Sequence, residues 1–67
     1  MKNARFFNRD HIIVNGTIIH VATMTYSHKD WMERNGLAET ETVKTETGEK
    51  FVIWANWARQ LACAIPA

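Results

Sequence analysis

Asn56-Trp57-Ala58-Arg59-Gln60-Leu61-Ala62-Cys63-Ala64-Ile65-Pro66 is the stretch on which the architecture turns. Asn56 suits a helix N-cap, and Pro66 cannot continue a helix. At about 100° per residue, Trp57, Ala58, Leu61, Ala62, Ala64 and Ile65 form one broad apolar face, leaving Arg59, Gln60 and Cys63 on the polar side. The spacing predicts a helix from Asn56 to about Ala64 that closes the second half of the chain.

Before it stands a hairpin. Glu39-Thr40-Glu41-Thr42-Val43-Lys44-Thr45 leads into a turn near Glu46-Thr47-Gly48-Glu49, and Lys50-Phe51-Val52-Ile53-Trp54 returns. The outgoing strand is polar at nearly every position, which suits an exposed sheet edge, where charge discourages stray pairing. The return strand is apolar over four consecutive residues and reads as central.

The first half has the same plan. His11-Ile12-Ile13-Val14 and Thr17-Ile18-Ile19-His20-Val21 flank Asn15-Gly16, and Asn-Gly between β-branched runs signals a type I′ hairpin. The strands are expected over Arg9 to Val14 and Thr17 to Met24. Ser27 then reads as the N-cap of a short helix that ends at Gly36 in the left-handed C′ position. A helix of two to three turns is marginal in water, so Trp31, Met32 and Leu37 must dock it on the sheet.

The pattern is ββαββα, with Gly16 and Gly48 at matching turns. It predicts an α+β fold, a four-stranded, mostly antiparallel sheet with two short helices packed on one face. Residues 1–67 read as a single domain, 1–36 the first hairpin plus helix and 37–67 the second.

With 67 residues the chain has room for one core. Its charge is nearly balanced, eight Lys and Arg against seven Asp and Glu, which argues against disorder. No apolar run approaches the roughly 18 residues a membrane span needs, and Met1 to Phe7 lacks a secretory h-region. The single cysteine allows no internal disulfide and fits a reducing, cytoplasmic setting. A domain this small buries only about 60% of its unfolded surface. Three Trp, three Phe and one Tyr can supply the missing core, and a homodimer would serve too.

The residues offer little chemistry beyond packing. A two-residue turn at Asn15-Gly16 puts His11 opposite His20, with Cβ atoms about 4.5–5.5 Å apart. Both rings could then reach one metal ion, but no Cys-x-x-Cys or His-x-x-x-His spacing supplies further ligands. Stacked imidazoles explain the pair without metal, and no cofactor is expected. Cys63, near a helix C-terminus, would have its thiolate disfavoured by the dipole. Ser27 is the sole serine and is spoken for as a cap, and the three glycines form no phosphate loop. The chain therefore reads as a non-enzyme.

Two binding readings remain. The first is a small regulatory or inhibitory protein-binding module of the size common among phage and plasmid accessory genes. It would use the acidic edge at Glu39, Glu41 and Glu46 together with Trp54 and Trp57, since Trp is prominent in interface hot spots. The second is nucleic-acid binding through Lys2, Arg5, Phe6, Phe7 and Arg9, basic residues interleaved with aromatics. A pI near 8.0 is low for such a binder, so a protein partner is preferred.

Overall fold

The computed structural model describes residues 2–22 and 26–67, and of Tyr26 the backbone alone. Six strands and one helix follow in order: β1 (Lys2–Asn8), β2 (His11–Val14), β3 (Thr17–Val21), α1 (Tyr26–Arg34), β4 (Glu39–Thr45), β5 (Lys50–Asn56) and β6 (Leu61–Pro66). The strands close into a barrel in the order β1-β2-β3-β6-β5-β4. The expected α+β sheet of four strands is thereby corrected to a six-stranded mixed barrel carrying one helix.

Each half of the chain is an antiparallel meander of three strands, β1 to β3 and β4 to β6, with α1 between them. The halves join through two parallel seams, β1 with β4 and β3 with β6. The hairpin-plus-helix division at Gly36 is corrected accordingly. Gly16 joins the second and third strands of its meander, whereas Gly48 joins the first and second of the other, so the two turns do not correspond.

The stretch Asn56 to Pro66 contains no α-helix. Asn56 is extended and makes no side-chain cap bond. A single 3-10 turn over Trp57–Arg59 follows, and Gln60 takes a left-handed conformation (φ 55°, ψ 38°), donating its N–H to the Trp57 carbonyl. The register Asn56↔Leu61 makes residues 57–60 a four-residue hairpin loop. The strand after it is apolar on both sides for two separate reasons. Ala62 and Ala64 point into the barrel among Ile53, Ala55 and Ile19, while Leu61, Cys63 and Ile65 point outward beneath α1. A strand covered on both faces has no alternation to show, and so resembles a buried helix in sequence.

Two further expectations change. The N-terminal segment is a strand of its own, because Ala4 and Phe6 turn inward and Phe6 meets Phe51 edge to face at 6.0 Å. β4 is not open along its whole length: it pairs with β5 from Glu39 to Lys44, and with β1 from Val43 to Thr45.

The hairpin at Asn15-Gly16 has the register that a two-residue turn demands, His11↔His20 through Val14↔Thr17, and both turn residues have positive φ. Met24, the expected end of its second strand, lies outside the described residues. α1 already includes Tyr26, so Ser27 sits within the first turn rather than ahead of it. Its other end is a Schellman closure. Leu37 donates its N–H to Met32 O at 2.8 Å and Gly36 to Glu33 O at 3.1 Å, with Gly36 at φ 70°. That closure turns Leu37 back beside Met32, and both bury fully against Ala22, Cys63 and Ile65. No helix among the described residues is long and apolar enough to cross a membrane.

Candidate functional site

Strand alternation fixes what each face of the first meander presents. Ala4, Ile12, Val14 and Ile19 belong to the barrel core. Their neighbours Asn3, Arg5, Phe7, His11, Ile13, Ile18 and His20 must therefore face outward. Phe7 is 55% exposed and Ile18 51%, with Ile13 half-buried. The registers Arg5↔Ile13 and Ile13↔Ile18 set Arg5, Ile13 and Ile18 side by side across the strands. An irregularity between Phe6 and Asn8 places Phe7 next to the His11 row instead of continuing the alternation.

That second row runs further. His11 opposes His20, His20 opposes Cys63, and Cys63 opposes Trp54. The imidazoles of His11 and His20 meet edge to face with centroids 5.1 Å apart. Asn8 Oδ1 accepts the Asp10 amide N–H and the His11 Nδ1–H, both at 2.9 Å. The backbone donor fixes the amide oxygen, so the ring nitrogen must carry the proton and Nε2 faces away from this contact. Among the described residues no group of three or more His, Cys, Asp or Glu is placed to hold a metal ion. His11 and His20 form a ring contact on the hairpin surface.

Where the row meets α1, a groove of about 400 Å³ opens between the helix and the β3–β6 seam, with His20, His28, Trp31, Ala62 and Cys63 on its walls. Cys63 itself is buried, and that burial pushes its thiol above its ordinary range, opposite to what a nucleophile needs.

The residues expected to bind protein do not come together. Glu39 and Glu41 stand at the start of β4, and Glu46 lies in the turn beyond its other end. Glu41 is tied to Lys2 by an ion pair of 3.0 Å. Trp54 packs beneath α1, its Nε1 buried with no hydrogen-bond partner among the described residues. Trp57, 40% exposed, stands in the β5–β6 loop at the barrel mouth beside Thr17 and Lys2. Of the expected nucleic-acid set, Phe6 is half-buried against the core and Lys2 lies beside Trp57, while Arg5, Phe7 and Arg9 remain exposed.

The reading from sequence missed Ile13 and Ile18. Both lie in β-branched runs that look uniformly buried, and only the hairpin register shows that alternate members must point out. It also missed the cations brought alongside by the parallel seam, where Asn3 pairs with Lys44 and Lys44 with Lys50. No carboxylate stands among the outward side chains of β1, β2 and β3; Asp10 lies in the β1–β2 turn, and Glu46 lines a pocket with Arg5 and Lys44. Comparison with protein-family models, with curated proteins and with solved structures finds no match.

Proposed function

We propose that this chain is a non-catalytic module that binds another protein through the outer face of β1, β2 and β3. One observation carries the reading: Phe7, Ile13 and Ile18 share a bare outer face of a barrel that has already closed on itself and spent its helix elsewhere. Its composition supports a protein partner, since aromatic, aliphatic and Arg side chains occupy the centre and acidic ones are missing. Exposed apolar residues gathered on one face mark interaction sites more often than singly scattered ones do. The acidic edge drops out of this reading, because Glu39 and Glu46 lie at opposite ends of β4 and Glu41 already holds Lys2. A free, buried Cys63 suits a reducing compartment, so the cytoplasm is the proposed setting.

A second reading is single-stranded nucleic acid, favoured by Arg5, Lys44 and Lys50 lying near an exposed Phe7. One experiment separates the two. The tagged chain is used to capture material from source-cell lysate after nuclease treatment, alongside the Ile18→Glu variant and a Glu39→Lys/Glu46→Lys variant. A protein recovered in near-equal amount by the wild type and the charge-reversed chain, and lost with Ile18→Glu at unchanged melting temperature, supports the face. Capture that survives Ile18→Glu removes the face as the site. Material lost on nuclease treatment promotes the nucleic-acid reading.

A further inference from the structure

Independently of that reading, we infer that His11 and His20 form a two-imidazole site for one divalent transition-metal ion of the Zn²⁺ type. The first hairpin brings the two rings together. Val21 donates its N–H to the Asp10 carbonyl at 2.7 Å, which makes Asp10 and Val21 a hydrogen-bonded pair. Antiparallel pairs alternate, so His11 and His20, one step nearer the turn, are a non-hydrogen-bonded pair. At such pairs the side chains stand closest, with Cβ atoms about 4.5–5.5 Å apart. They lie on the outer face, where His20 is exposed and His11 half-buried.

The ring separation is the one a shared ion requires. Zinc bonds an imidazole nitrogen at about 2.0–2.1 Å and so lies about 3.2 Å from the ring centre. Two imidazoles at a tetrahedral angle then have their centres about 5.2 Å apart. The centroids of His11 and His20 are 5.1 Å apart. Each ring can turn about its metal–nitrogen bond, so the 68° between their planes is no obstacle. With the spacing met, chelation asks for side-chain torsions and not for movement of the strands.

His11 is also held in the protonation form that a metal needs. Asn8 Oδ1 accepts the His11 Nδ1–H at 2.9 Å and is itself fixed by the Asp10 N–H, also at 2.9 Å. The lone pair of Nε2 is thereby left as the ring's ligating atom. Metal-binding histidines almost always donate their other ring N–H to a neighbouring acceptor in this way. Asn8 is accordingly a positioning residue. It reaches His11 because of the irregularity between Phe6 and Asn8: from Phe6↔Ile12, an unbroken register would have set Phe7 opposite His11.

The donors choose the ion. Neutral imidazole suits Zn²⁺, Ni²⁺ and Cu²⁺, whereas Mg²⁺ and Ca²⁺ take oxygen. Among the described residues no group of three ligands forms. Cys63, opposite His20 across the seam, is buried and keeps its proton firmly. The ion would therefore hold water at its remaining positions, unlike the closed four-ligand set of a structural zinc.

The test titrates the full-length, isotope-labelled chain with Zn²⁺ near pH 7.5 and follows the imidazole nitrogens by NMR. One equivalent is expected to shift Nε2 of His11 and a ring nitrogen of His20, to leave His28 unmoved, and to raise the melting temperature. His11→Ala and His20→Ala should each weaken binding at least about tenfold, and His28→Ala should leave it unchanged. Asn8→Ala should weaken it about tenfold, and Asn8→Asp, which keeps the acceptor, should restore it. Unchanged amide shifts away from the hairpin show that each variant keeps the fold. Affinity held within about threefold in either the His11 or the His20 variant overturns the site. So does an equal response to Mg²⁺, which would mark oxygen ligands instead. Equal losses in all three histidine variants would mean an adventitious ion only, spread over separate imidazoles. Wild-type affinity in Asn8→Ala removes Asn8 from its positioning role.

Discussion

The barrel carries two apolar patches on its outer surface, and they have met opposite fates. Over β5 and β6, Trp54, Cys63 and Ile65 lie beneath α1, where Met32 and Leu37 are completely excluded from water. Over β2 and β3, Ile18 stands exposed beside the half-buried Ile13, with exposed Phe7 near them. Both patches arise from the same cause, consecutive apolar residues on a strand whose inner face is already committed to the core. What separates them is that α1 covers one, while no helix among the described residues covers the other. The covered patch is part of folding, and the other is the face proposed to bind.

If that distinction is right, truncating each patch must have unequal consequences for stability. Met32→Ala removes a fully buried side chain and should cost about 2–5 kcal/mol, read as a lower urea midpoint with the slope unchanged. Ile18→Ala, at a half-exposed position, should stay within about 0.5 kcal/mol of the wild type. A loss at Ile18 as large as that at Met32 would break the comparison, since the second patch would then be core in solution.

The strand that separates the patches is also where the sequence misled. Asn15-Gly16, Gly36 and the hairpin Glu39 to Trp54 were legible because local backbone chemistry decides them: positive φ, a Schellman closure and a short turn act within a few residues. β6 was not. Ala62 and Ala64 are small because they line a narrow barrel, while Cys63 and Ile65 are apolar because α1 covers them. Together they mimic a helix with a wide apolar face. β1 hid for another reason, since its alternation rests on Ala4 and Phe6 alone and then breaks at the Phe6–Asn8 irregularity. The parallel seams join residues some forty positions apart, such as Lys2 with Val43, and no local pattern announces them. The candidate site inherited these errors. Until the hairpin's inner face is known, Ile13 and Ile18 look like core, and the acidic strand β4 looks like an edge.

Gln60 offers a sign test of that corrected strand. It stands at φ 55° in the loop entering β6, exposed to solvent. Glycine relieves left-handed strain of about 1–2 kcal/mol while adding about 0.4–1 kcal/mol of unfolded-state entropy. Gln60→Gly should therefore stabilise the chain, by roughly 0.5 kcal/mol or somewhat more, and raise its melting temperature. Were Asn56 to Ala64 helical, the same change would sit mid-helix and cost about 0.8–1 kcal/mol. A lower melting temperature would thus restore the helix and remove the strand on which α1 rests.

The smallest effect concerns how dry the covered patch is. Burial holds the Cys63 thiol above its ordinary value of 9.0, so its proton is bound more firmly in the folded chain than in the unfolded one. Below that ordinary value both states keep the proton, and the contribution to stability is whole. As pH rises past it the unfolded chain loses its proton first, and stability falls until the folded thiol also ionises. Lysine and tyrosine titrate in the same range, so the quantity to follow is the stability gap between wild type and Cys63→Ala. That gap should hold steady from neutral pH to about 8 and narrow toward pH 10 in urea unfolding. A gap independent of pH would mean that water reaches the thiol and that α1 does not seal its side of the barrel. The two patches would then differ only in degree.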